Sequence, residues 1–180
     1  MTKQIAVFIG SGSQKSNSQL VVNYLQTIAP KSIELVTYPI ADLPLYDRDF
    51  DAQSPESYTR LRQAIATADG VLWVTPEHNG TVSAMLKNAI DIGSRPLGQS
   101  QWIGKKLGIV TVSAGMTGGV GTADLLRAVA SRKFVSMPTY HVSASIANVS
   151  SAFNEQGELV NESVQRVLKE FIEGYAAFVA

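Results

Sequence analysis

The chain has 180 residues, 45% of them hydrophobic, and its 15 basic and 15 acidic side chains balance. Such a length suits one domain over residues 1–180 with a sizeable core, and zero net charge argues against the basic stripe of a nucleic-acid binder or an acidic tail. The absence of cysteine excludes disulfides, thiolate metal sites, iron–sulfur clusters and cysteine nucleophiles.

Residues 5–10 (IAVFIG) are nearly all apolar, which predicts a parallel strand covered on both faces. The loop behind it, Ser11-Gly12-Ser13-Gln14-Lys15-Ser16-Asn17-Ser18, holds four hydroxyls and almost nothing that packs a core. It feeds a helix predicted over 18–29 from the spacing of Val21, Leu25 and Ile28. A helix N-terminus offers free backbone amides and the positive end of the dipole, and the hydroxyls of Ser11, Ser13, Ser16 and Ser18 add neutral donors. A phosphate monoester suits this loop; an ordinary turn with a serine cap satisfies the same pattern. It is not a P-loop, because no G-x-x-x-x-G-K-[ST] is present, and G-x-G-x-x-G fails at Lys15.

Residues 32–38 alternate and predict a second strand nearer an edge. The long connection 38–53 contains ADLPLYDRDFD, and the helix predicted over 55–68 starts at Pro55 with Ser54 as its cap. The run 70–76 predicts the third strand, ended by Pro76. Asn79-Gly80 then reads as a tight turn before a helix over 81–92, with Thr81 or Asn79 available as its cap. A planar heterocycle could lie against Pro76, Glu77, His78, Asn79 and Gly80; a plain strand-to-helix turn is the alternative. Residues 106–113 predict the fourth strand, and residues 113–121 hold four glycines in nine. Bare backbone around Ser113, Gly115, Gly118 and Gly119 suits close approach of a flat ring, or a flexible surface loop. A helix over 120–131, a weaker fifth strand over 133–138, a long connection 139–160 and a last helix over 161–178 complete the chain. Glu162 with Arg166, and Lys169 with Glu173, stand at i,i+4 in that helix.

Strands alternating with helices predict an α/β fold with a doubly wound parallel sheet and helices on both faces. The loops after the first, third and fourth strands share its carboxyl edge, where such sheets bind one ligand. Together they point to a phosphorylated, planar, aromatic cofactor. No apolar run approaches the ~18 residues of a membrane span, so a cytoplasmic protein without membrane or nucleic-acid partners is expected.

The stretches GSGSQKSNS, LPLYDRD, GVLWVTPEHNGTVSAMLKNAIDIGSRP and SAGMTGGVGTADLLR resemble, in that order over about residues 4–140, the NADPH-dependent FMN reductase family of bacterial quinone, azo-dye and chromate reductases. The resemblance implies a flavodoxin-like five-stranded parallel sheet of order 2-1-3-4-5, FMN as cofactor, and NADPH or NADH as electron donor. It implies ping-pong hydride transfer through FMN to a small-molecule electron acceptor, such as a quinone or azo dye. No catalytic side chain and no metal is expected, since the cofactor carries the chemistry. The family's phosphate loop reads approximately G-S-x-R-x-x-S-x-N; Gly10, Ser11 and Ser16 match, while Ser13 stands for the arginine and Ser18 for the asparagine. His78 takes the tyrosine position of the P-E-Y-N turn. The implied cofactor-binding residues are thus Ser11, Ser13, Ser16, Ser18, Pro76, Glu77, His78, Asn79, Gly80, Ser113, Gly115, Gly118 and Gly119. Arg95, Lys105 and Lys106 are candidates for a 2′-phosphate contact. A homodimer or homotetramer is implied, with Tyr46 and Asp47 as a lip of the partner's site; the alternative is that Leu43, Leu45 and Tyr46 anchor the loop on their own subunit. A flavodoxin-like electron carrier and a non-enzymatic flavin-binding protein are the rival readings. Net neutrality argues against the carrier, which docks through acidic charge. A hydrolase lacks its G-x-S-x-G elbow here, and two lone histidines make no recognisable metal site.

Overall fold

In the computed structural model, which describes residues 1–180, the continuous apolar runs become strands buried on both faces. β1 (Lys3–Ile9), β3 (Gly70–His78) and β5 (Lys106–Val112) fill the middle of the sheet, and the alternating β2 (Ile33–Thr37) takes one edge. β6 (Ala144–Ile146) takes the other, giving the order β2-β1-β3-β5-β6 with every neighbour parallel. β4 (Thr81–Val82) lies off this path, paired antiparallel with the end of β3. With β4 set aside, the parallel strands follow the expected 2-1-3-4-5; the hairpin adds a sixth strand to the expected five.

Alternate strand residues face opposite sides, and each side is covered by helices. Ile5, Val7, Leu72 and Val74 pack under α1 (Asn17–Ile28) and α5 (Glu162–Val179). Ala6, Phe8, Val71 and Trp73 pack under α2 (Glu56–Thr67), α3 (Ala84–Gly93) and α4 (Val120–Ala130). No helix is long and apolar enough to cross a membrane.

Several local expectations are corrected. Residues 133–138 are not the fifth strand: Val135 and Ser136 donate to the carbonyl of Arg132, and Met137 to that of Ala130, so this segment winds back on α4. The fifth parallel strand comes later, inside the 139–160 connection, where Ala144–Ile146 pair with Val110–Val112. Pro76 does not end β3, which continues to His78. The Val74 carbonyl faces β1 and accepts from the Gly10 amide at 2.8 Å; two residues later Pro76 faces the same side, where β1 has already ended. The missing proline N–H therefore leaves no ladder bond unmade. Thr81 and Val82 are strand rather than helix, and Ser83, not Thr81 or Asn79, caps α3 by accepting from the Leu86 amide at 3.3 Å. Pro55 precedes α2 as its cap residue, and the Ser54 hydroxyl donates to Phe50 instead. Neither expected pair on α5 forms an ion pair; the three that do, Lys3–Asp69, Arg60–Asp42 and Lys87–Asp91, are solvent-exposed and contribute little.

Candidate functional site

The loop from β1 to α1 is organised by its own hydroxyls. Ser16 caps α1, accepting from the Gln19 amide at 3.2 Å. Ser11 accepts from the Ser13 amide at 3.4 Å and Ser13 from the Lys15 amide at 3.3 Å. Each hydroxyl thus uses an acceptor lone pair inward and keeps its O–H proton for an outside acceptor. Ser18 differs: it is 1% exposed, and its Oγ has no hydrogen-bond partner.

The second wall is the hairpin β3–β4. Asn79 (φ 51°) and Gly80 (φ 73°) form its two-residue turn, with His78 opposite Thr81 and Glu77 opposite Val82. Positive φ at both central residues marks a type I′ turn, which explains the Asn-Gly pair. The turn is stiffened from behind, where Thr75 Oγ1 bonds the capping Ser83 hydroxyl at 3.2 Å and the Pro76 carbonyl at 2.9 Å. His78 is exposed at the lip.

The third wall is the loop from β5 to α4. The Gly115 amide donates to Ser113 Oγ at 3.1 Å, and Thr111 Oγ1 donates to the Gly118 carbonyl at 2.9 Å. Gly118 and Gly119 both have positive φ, so backbone geometry rather than ligand approach already demands them.

These three walls enclose one cavity of about 200 Å³ at the carboxyl edge of the sheet. Ser11, Ser13, Ser16 and Ser18 line it from the first loop, Pro76, Glu77 and His78 from the second, and Ser113 from the third. It opens past the serine loop into a polar groove of about 590 Å³ bounded by residues 154–157. Past His78 and Asn79 it adjoins a more apolar hollow of about 530 Å³ beside Val82, Leu125 and Val129. Gly80, Gly115, Gly118 and Gly119 shape the walls without lining these cavities. Five lining residues were missed by the sequence reading: Lys15, Asn17, Val112, Ala114 and Val149. Lys15 stands in the serine loop itself and belongs to none of the ion pairs, so its charge is unspent. Val149 arrives from the 139–160 connection, where no motif marks it.

The dinucleotide candidates separate. Lys105 and Lys106 stand at the amino end of β5, the edge opposite the cavity. Lys105 Nζ donates to the carbonyls of Ala66 and Ala68 at 2.7 Å, and burial lowers its pKa. Lys106 Nζ donates to those of Val179 and Ala180 at 3.1 and 3.2 Å. Neither is placed for a 2′-phosphate. Arg95 lies over the Tyr46 ring, 5.8 Å from its centroid, in a separate hollow with Arg48. The 38–53 connection is anchored within the chain: Asn88 Oδ1 accepts from the Tyr46 amide at 2.8 Å, and Tyr58 Oη donates to the Leu45 carbonyl at 2.8 Å. Burial, and then the neighbouring Asp51 carboxylate, raise the Tyr46 pKa. Asp47 caps the short turn Arg48–Asp51, accepting from the Asp49 amide at 3.0 Å. No group of three or more His, Asp or Glu side chains is placed to hold a metal ion.

The donor set fits a flavin mononucleotide. Hydroxyl protons, the first-turn amides of α1 and the Lys15 ammonium suit a phosphate dianion, and the orphaned Ser18 hydroxyl lacks an acceptor of the kind a phosphate supplies.

Comparisons with known proteins agree. A quinone reductase of Pseudomonas putida is 41% identical over 177 residues, covering 97% of this chain and 94% of that one. A 2-hydroxy-1,4-benzoquinone reductase of a Burkholderia species is 35% identical over 182 residues, covering 99% and 97%. Among solved structures, FerB, a flavoenzyme NAD(P)H:(acceptor) oxidoreductase from Paracoccus denitrificans, superposes with a TM-score of 0.88 at 31% identity over 99% of this chain and 97% of that one. The sequence profile of the NADPH-dependent FMN reductases matches residues 4–149, and the chain belongs to that family.

Proposed function

We propose that the cavity at the carboxyl edge holds FMN, with its phosphate in the serine loop and its ring against the hairpin turn and the glycine loop. The protein is an FMN-dependent NAD(P)H oxidoreductase, and we read quinones as its acceptor class. The observation that carries the site assignment is the convergence of Ser11, Ser13, Ser16, buried Ser18 and the unpaired Lys15 on one cavity. Lys15 supplies the positive charge that Ser13 lacks in the arginine position, two residues further along the loop.

FMN, when bound, supplies the two-electron chemistry between NAD(P)H and the acceptor. The chain's own residues bind and orient. The loop hydroxyls and α1 amides neutralise the phosphate. Backbone donors at residues 77–80 would hold the ring's polar edge, and the I′ turn fixes their positions without reorganisation. The apolar hollow past His78 offers a bed for a flat acceptor. We read the exposed Met116, Val120 and Leu125, at the glycine loop and on α4, as a face covered by a second copy. Sedimentation velocity checks this: a single monomeric species refutes the assembly without touching the chemistry.

The test is optical. Purified protein mixed with FMN is expected to show a bound-flavin spectrum that bleaches with NADPH and recovers with benzoquinone. A protein that leaves the free-FMN spectrum unchanged overturns the reading.

A further inference from the structure

We propose that Glu77 and Thr122 form a strap that fixes the hairpin wall of the cavity to the glycine-loop wall before any cofactor binds, making both of them positioning residues. The inference rests on the flavin reading above for its purpose, but the strap itself is a property of the polypeptide.

Glu77 leaves β3 within the hairpin and lines the cavity. Its carboxylate does not point into solvent. Oε2 accepts from Thr122 Oγ1 at 2.9 Å, and Thr122 is completely buried in the first turn of α4. This is the one side-chain hydrogen bond between residues 76–82 and residues 113–122.

The need for it is visible in α4. Its N-cap is Gly119, which provides no side-chain cap, and its first turn holds no acidic residue. Helix N-termini are stabilised by side-chain acceptors and negative charge. Glu77 brings negative charge to that terminus from another element, 45 positions away in sequence, held there by the Thr122 hydroxyl rather than by a backbone amide. Gly119 is fitted to the arrangement: a Cβ there would stand 3.1 Å from Thr111 Cβ and 3.5 Å from Glu77 Cβ. The opposite side of the loop is already tied down, by Thr111 Oγ1 on the Gly118 carbonyl at 2.9 Å and by the Asn148 amide on the Gly115 carbonyl at 3.0 Å. Without the strap no side-chain hydrogen bond ties the loop to the hairpin, and only the packing of α4 against β4 keeps the gap between them from widening. That gap is where a flat ring enters.

The strap is tested by amide hydrogen exchange on the apoprotein, with FMN titration as a second readout. Thr122→Val keeps the side-chain volume and removes the donor. It is expected to speed exchange at residues 114–120 and to raise the FMN Kd roughly tenfold, the scale of one hydrogen bond to a charged group. Thr122→Ser restores the hydroxyl and is expected to recover both. Glu77→Ala should match Thr122→Val, and the double variant should add nothing beyond the larger single effect. Unchanged exchange in Thr122→Val overturns the strap. Faster exchange with unchanged FMN affinity overturns its role toward the cofactor. A wild-type protein that takes no FMN overturns the functional reading alone, since exchange in the apoprotein still decides whether the strap exists.

Discussion

Ser18 carries a hydroxyl into the protein interior with nothing to bond it. An unpartnered buried polar group costs about 1–3 kcal/mol, so it weakens the apoprotein unless a ligand completes it. Ser18→Ala separates the two contributions. The apoprotein is expected to hold or raise its Tm, while the FMN Kd rises roughly tenfold for one lost hydrogen bond. Calorimetry with a flavin titration checks both directions; a lower apo Tm would show that Ser18 serves the fold instead. The same residue marks a limit of reading by motif. Against the family pattern Ser18 and Ser13 register only as departures from asparagine and arginine. That Ser18 is sealed, and that Lys15 turns into the same cavity, depends on how α1 enters the core through Val21 and Val22.

The hairpin β3–β4 sets the geometry of the site, and its turn is the vulnerable point. A Cβ added at Gly80 meets nothing within 4 Å, so the cost of Gly80→Ala is purely conformational. At φ 73° that cost is about 1–2 kcal/mol, read as a lower denaturation midpoint with an unchanged m-value. The Asn-Gly pair was legible, and so were the central strands, because a parallel strand buried on both faces must be apolar throughout. What defeated the sequence was register and context. Pro76 looks like a strand end only if β1 runs alongside it, and β1 has stopped at Ile9. Ala144–Ile146 is three residues long, too short for any period to show. Residues 133–138 are apolar because Val135 and Met137 plug the base of the α4 layer; only Pro138, at the segment's end, bonds to the sheet, its carbonyl accepting from the Leu107 amide at 2.8 Å. Lys105 and Lys106 drew attention by charge alone; their carbonyl partners come from distant elements.

Across the whole molecule, the start of β1 is clipped to the turn before β3. Asp69 accepts from the Gln4 amide at 2.9 Å and from Lys3 Nζ at 3.1 Å. The amide first, and the ammonium with it, hold the carboxyl below its ordinary value of 3.8. A depressed folded-state pKa means the clip stabilises fully above that value and is lost as pH falls through the lower, folded one. Asp69→Asn is therefore expected to be less stable than wild type near neutrality, with the gap narrowing under acid below pH 3.8. Parallel urea titrations at several pH values measure it; a gap that widens in acid refutes the clip.

Both of the chain's tryptophans are sealed in the layer between the sheet and α3, set edge-on with ring centroids 5.5 Å apart. Trp73 lies on β3 only four residues before Glu77, about 13 Å along the strand. All tryptophan emission, excited selectively at the red edge of absorption, thus arises from one dry, rigid spot within energy-transfer range of anything seated against the hairpin. Loading a yellow chromophore should quench that emission stoichiometrically, and denaturing the protein should release it with a red shift. The fold carries a built-in optical gauge, able to count occupied sites at concentrations too low for absorbance.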